Sequence, residues 1–144
     1  MVPVMSLSIG QAAEKSGCTP PTIRYYESIG LLPPTSRSDA GRRSFGPQEV
    51  ARLAFIRRAR DFGLGIPQVR DLLAAAEAPA TACATARPVV EAHMRALRTK
   101  RAELKALEAA LAAILVRCDE GCRNGNPEAC AIFDDFHMPG AVST

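Results

Sequence analysis

The clearest periodicity in this chain lies in its second half. With Val90 as position a of a heptad, Leu97, Leu104, Leu111 and Cys118 fall at a, and His93, Lys100, Leu107 and Ile114 at d. This seam is apolar towards its C-terminal end and polar at its start. It predicts one helix over residues 88–117, about 45 Å long at 1.5 Å per residue. A lone helix of this kind cannot bury its apolar stripe and needs a partner. His93 is read as a polar residue the seam tolerates, and Lys100 as a side chain that packs its stem and keeps its ammonium in water.

The first half has a shorter rhythm, with apolar clusters broken by turn residues. Ser8, with Gln11 three positions on, forms a capping box for a helix over "IGQAAEKS", which Gly17 ends. Thr19 followed by Pro20 and Pro21 starts a second helix, which carries "TIRYYESIG" and stops at Gly30. Two short helices joined by a tight turn are the helix-turn-helix pattern, whose second helix enters the DNA major groove. In "SRSDAGRRSFG", Asp39, Ala40 and Gly41 read as a turn between two extended pieces, a small basic hairpin or wing. A third helix over 47–62 ends at Gly63, and a fourth runs over 67–76. Helix-turn-helix, basic hairpin and two further helices make a winged-helix plan, and the fold class is mainly α.

Length and charge sharpen this picture. A chain of 144 residues allows one domain, or two small ones joined by a helix. The longest apolar run, 109–116, is far shorter than the roughly 20 residues needed to span a bilayer. "MVPVMSLSIG" lacks the basic start and long apolar core of a secretion signal, so a cytoplasmic protein that does not engage membranes is expected. Net charge is only +3, but from Arg24 to Arg70 there are nine arginines against four acids. Such a basic half fits nucleic acid and fits equally a solvated surface.

Five cysteines in a reducing compartment point to metal ligands or redox groups rather than structural disulfides. Cys18, in the turn between the first two helices, is read as a small buried hydrophobe. Cys83 precedes the long helix, Cys118 ends it, and Cys122 and Cys130 follow. "CDEGCRNGNPEAC" reads as a Gly/Asn/Pro-rich loop with no core for its thiols to pack into, followed by a short helix, "AIFDDF". Cys83 and Cys118 are 35 positions apart on one element, so helix rise separates them by roughly 45–50 Å in one chain.

"SIGQAAEKSGCTPPTIRYYESIGLLPP" and "RSDAGRRSFGPQEVARLAFIRRARDFGLGIPQVRDLL" together resemble the DNA-binding half of the MerR family of transcription regulators. The resemblance covers residues 8–73. It implies a homodimer on promoter DNA whose polymerase-recognition elements are too far apart. Activated protein untwists that DNA so that RNA polymerase can use it. DNA contacts are then expected at Thr22, Arg24 and Tyr25 of the second helix and at Arg37, Arg42 and Arg43 of the wing. Arginine can fork onto phosphate or guanine, and a tyrosine hydroxyl can donate to a phosphate oxygen.

The same resemblance implies three parts. Residues 1–77 are the winged helix-turn-helix domain. Residues 78–117 are a linker and dimerisation helix that pairs antiparallel with its copy, and 118–144 are a metal-binding loop and short helix. In the metal-sensing branch, an antiparallel pair brings Cys83 of one subunit to Cys118, Cys122 and Cys130 of the other. Either Cys118 or Cys122 could be the principal ligand, and Asp119 or His137 could add to the set. Three or four sulfur donors suit zinc, cadmium, lead or mercury, whereas copper(I) is satisfied by two. The function implied is activation of a metal-resistance or efflux operon by a soft divalent metal. A copper(I)-responsive regulator and a redox sensor with an iron–sulfur cluster are the alternatives, although the loop holds three cysteines where a cluster needs four ligands. A multidrug-binding regulator would need a pocket domain that the residues after Cys130 are too few to form. Neither a nucleophile–base pair nor a phosphate-binding glycine loop suggests an enzyme.

Overall fold

The computed structural model describes residues 6–33, 44–123 and 130–136. Six helices follow one another: α1 (Ile9–Ser16), α2 (Pro20–Ser28), α3 (Pro47–Asp61), α4 (Ile66–Ala76), α5 (Ala82–Arg123) and α6 (Ala131–Asp135). The chain divides into two compact units, Met1–Glu91 and Ala92–Thr144. The mainly α fold class stands. The hairpin expected around Asp39–Gly41 lies outside the described residues.

In the first unit the helix boundaries come from local chemistry. Ser8 Oγ accepts from the Gln11 amide at 3.2 Å, and Gln11 Oε1 accepts from the Ser8 amide at 3.0 Å, so both halves of the capping box form. Gly17 closes α1 in the left-handed region, φ +76°, with its amide on the Ala13 carbonyl. Two residues later Thr19 caps α2, and prolines fill that helix's first positions, where no partner for an N–H is missed.

These helices enclose one apolar core. Ala12 and Ala13 come from α1, Ile23 and Tyr26 from α2, Leu53, Ile56 and Ala59 from α3, and Val69 and Leu73 from α4; Leu31, Leu32, Phe45 and Leu64 join from the connections. Spacings of three and four put each helix's contribution on one face. α1 packs on α2 and α3, and α3 on α4. Ile23, Leu53, Ile56 and Val69 are fully buried, each worth about 2 kcal/mol of transfer free energy. Leu7 and Phe45 exchange two amide–carbonyl bonds of 2.8 Å, an antiparallel bridge that returns the chain to α1. Cys18 is half-buried against this core, as its sequence context suggests, with its thiol 3.7 Å from the Leu53 carbonyl. Burial, with the Cys18 thiol adding to it, pushes the Tyr26 phenol above its ordinary pKa, against the opposing pull of Arg60.

α5 is longer than its periodicity predicts, 42 residues in place of about thirty. Pro88 does not start it but lies inside it, although an interior proline removes one helix hydrogen bond at about 3 kcal/mol. Alanines at 82, 84 and 86 are the strongest helix formers and carry the helix back past the proline, with the Thr85 amide on the Thr81 carbonyl. At the other end the helix runs through Gly121 to Arg123. A glycine costs about 1 kcal/mol there, less than an expectation of termination assumes when an existing helix has only to propagate. In the second unit Leu97, Leu104, Leu107 and Leu111 stand exposed along α5, with Leu107 at 61%. An ion pair between Arg117 and Asp135 ties α6 to α5.

Candidate functional site

Two regions carry the candidate chemistry. The first is the outer face of α2. With Ile23 and Tyr26 turned into the core, Pro21, Arg24, Tyr25 and Ser28 form the opposite, exposed ridge, and Tyr25 is 53% accessible. Arg24 and Tyr25 are therefore adjacent and both exposed. Thr22 is half-buried; its hydroxyl lies 2.7 Å from that of Thr19, so it braces the helix start as much as it faces outward. The Tyr25 ring packs at 46° to that of Tyr26, with centroids 5.9 Å apart, which limits its swing. A guanidinium and a phenol side by side on the outer face of a helix can hold phosphate and reach base edges. Arg37, Arg42 and Arg43 lie outside the described residues.

Four arginines of the basic half have another task. Arg57 Nη1 donates to the Gly17 carbonyl at 2.5 Å, and Arg60 Nη1 to the Leu64 carbonyl at 2.9 Å. Arg52 Nε donates to the Leu31 carbonyl and Arg70 Nη2 to the Ile29 carbonyl, both at 2.9 Å. Each acceptor lies in a turn where a helix has just ended and its carbonyls lack helical partners. Sequence reading missed this role. Its one local signal is the four-residue spacing of Arg60 and Leu64, while the other three pairs are 21 to 41 residues apart.

The second region is the set of thiols. Cys83 is exposed in the first turn of α5 rather than ahead of the helix. Cys118 is half-buried within α5, and Cys122 stands one turn later, still in the helix; neither is on a loop. The early end predicted for the helix came from reading the whole Gly/Asn/Pro-rich stretch from Cys118 to Cys130 as a loop. Cys130 is half-buried directly ahead of α6. Near Cys118, where the Arg117–Asp135 pair joins the two helices, Ala110, Ala113, Ile114 and Val116 line an open apolar groove of about 760 Å³. Among the described residues of one chain, no three His, Cys, Asp or Glu side chains gather into a metal site. Asp119 is exposed on α5, and His137 lies outside the described residues. No described helix is long and apolar enough to cross a membrane.

Comparison with known proteins gives a consistent result. Residues 7–76 match the model of the MerR HTH family regulatory proteins, and residues 50–114 the model described as MerR, DNA binding. An uncharacterized HTH-type transcriptional regulator of Pseudomonas aeruginosa is 39% identical over 130 residues, which is 90% of this chain and 96% of that protein. Heavy metal-dependent transcription regulator 2 of Rhizobium meliloti is 34% identical, over 78% of this chain and 76% of its own. Among solved structures, the transcription regulator PbrR691 of Ralstonia metallidurans CH34 in complex with lead(II) superposes with a TM-score of 0.77 at 34% identity. That match covers 90% of this chain and 98% of the other.

Proposed function

The chain belongs to the MerR family of helix-turn-helix transcription regulators, and on that footing we propose that it is a homodimeric metal sensor. It holds promoter DNA, takes up a soft divalent ion on its cysteines and activates transcription by distorting the DNA for RNA polymerase. The family consists of regulators and not enzymes.

The observation that carries this reading is α5. One helix bears Cys83 in its first turn and Cys118 and Cys122 in its last turns, with an exposed apolar stripe between. Laid antiparallel on its copy, it covers the stripe and sets each helix start beside the other's end. Cys83 of one subunit then joins Cys118, Cys122 and Cys130 of the other, a donor set that fits zinc, cadmium, lead or mercury. Thiols scattered within one chain become one site only in the pair. The heavy-metal regulator of Rhizobium and the lead(II) complex from Ralstonia support the assignment of the metal class.

The ion supplies a cross-link between thiolates of two chains. What this chain's own residues supply is the linkage onward. The Arg117–Asp135 pair fastens α6, and so the Cys130 that precedes it, to the end of α5. Cys83 sits on the first turn of the same helix, six residues after Glu77 closes α4. Drawing Cys83 towards a partner's thiols therefore pulls on the connection to the DNA-binding unit. A change in DNA shape, rather than in affinity, is how such a pull can raise transcription.

The test mixes a Cys83→Ser chain with a Cys118→Ser/Cys130→Ser chain and titrates cadmium, read by thiolate-to-metal absorption. In a shared arrangement one of the heterodimer's sites carries every defect and the other is intact. One ion per dimer should return although neither parent binds. No recovery would overturn the shared site.

A further inference from the structure

The end of α2 is gripped from two sides. Arg70 of α4 bonds the Ile29 carbonyl and Arg52 of α3 the Leu31 carbonyl, each at 2.9 Å. Between them Gly30 turns the chain at φ +75°, and the Leu31 and Leu32 amides fold back onto the Tyr26 carbonyl. The other arm of Arg52 reaches Glu77, the residue that closes α4, with Nη1 3.6 Å from Oε1. α4 thus holds the last turn of α2 directly through Arg70 and indirectly through Glu77 and Arg52. A guanidinium, with several donors in a fixed fork, is suited to serving a carbonyl and a carboxylate at once, as Arg52 does. At its other end α2 starts on the Thr19 cap, and Ile23 of its first turn is fully buried in the core, so the polar clamp acts on the C-terminal end of the helix.

We propose that Arg70 and Arg52 are positioning residues of DNA recognition: they fix the angle of α2 against the core and do not themselves contact DNA. This rests on the reading of α2 as the DNA-facing helix. Base-edge contacts require side chains placed to a fraction of an ångström, whereas attraction to phosphates tolerates a rocking helix. Loosening the clamp should therefore weaken binding to the correct sequence and spare binding to any other.

The experiment uses the full-length protein, an operator duplex obtained by selection from a random-sequence pool, and a scrambled duplex, across a salt series. Arg70→Met keeps the stem and removes every donor. It should lower the ratio of operator to scrambled affinity roughly tenfold, the scale of one lost specific contact. Its salt slope should differ from that of the unaltered protein by well under one, since no phosphate contact is lost. Arg70→Lys, which can still donate one bond to the Ile29 carbonyl, should recover part of the ratio. A variant that merely folds less well loses both affinities alike and leaves the ratio unchanged, so an unchanged ratio overturns the proposal. So does a slope that falls by about two, one for each subunit of the dimer, which would make Arg70 a phosphate contact. Arg24→Ala serves as the control and should itself lower the slope by about two, one contact in each subunit. An unchanged slope there counts against the outer ridge of α2 as the DNA face, and leaves the clamp to be judged on the ratio.

Discussion

Gly17→Ala should destabilise the protein by about 2–3 kcal/mol, and the cost should depend on Arg57. Gly17 closes α1 at φ +76°, where a residue with a Cβ is about 1–2 kcal/mol less stable. Its carbonyl accepts the Arg57 guanidinium at 2.5 Å, and a Cβ added at Gly17 would overlap that same guanidinium. The alanine therefore displaces Arg57 as well, forfeiting a bond that is largely exposed and so worth about 1 kcal/mol. Arg57→Ala alone should cost about that 1 kcal/mol. On its background Gly17→Ala meets no obstruction and should cost only the backbone part. The double variant should then be about 1 kcal/mol more stable than the sum of the single changes implies. Urea unfolding at one fixed protein concentration measures all four corners of the cycle, since the stability of a dimer varies with concentration. If the two changes add to within about 0.3 kcal/mol, Arg57 is not held against Gly17 and the account of this turn is wrong.

Leu107→Lys puts a charge at the middle of the apolar stripe and should raise the dimer dissociation constant at least about tenfold, the equivalent of losing one half-exposed leucine from each chain. Sedimentation velocity reads this directly, and an undisturbed dimer would place the interface elsewhere. Apo and cadmium-loaded protein should bind the operator with affinities within about threefold of each other, while only the loaded form raises transcription in a purified system; both states hold the same site and differ in the DNA shape they favour. Release from DNA on adding cadmium would rule out activation by distortion.

How legible the fold was in the sequence depended on the range of the interaction that sets each feature. The Ser8–Gln11 box, the Gly17 stop and the Thr19–Pro20 start are decided within three or four residues, and all three form as expected. The ends of α5 were misjudged by the same kind of local signal. Pro88 and Gly121 are poor helix residues, but a helix already running needs only one favourable step at a time to pass them. The consequence for the proposed site is direct: Cys83, Cys118 and Cys122 stand on α5 itself, not on loops beside it. A thiol on a helix transmits displacement to its own turn of that helix without slack, which suits the proposed sensor better than the loop the composition suggested.

Charge was the least legible feature. Nine arginines from Arg24 to Arg70 suggest a broad basic surface. Four of them, Arg52, Arg57, Arg60 and Arg70, hold main-chain carbonyls, and Arg58 lies 5.0 Å over the Phe62 ring. No composition window separates these from the rest, because three of the four carbonyl partners are brought near only by the packing of α1, α2 and the Ile29–Leu31 turn against α3 and α4. A guanidinium bonded to a carbonyl keeps its full charge, so it still draws DNA towards the surface from a distance. It has fewer donors left for a phosphate at contact. The steepness of DNA binding with salt counts phosphates neutralised at contact, not arginines present. The surface we propose to meet DNA is accordingly narrower than the charge of this half of the chain suggests, and among the described arginines Arg24, on the exposed ridge of α2, is the one assigned to it.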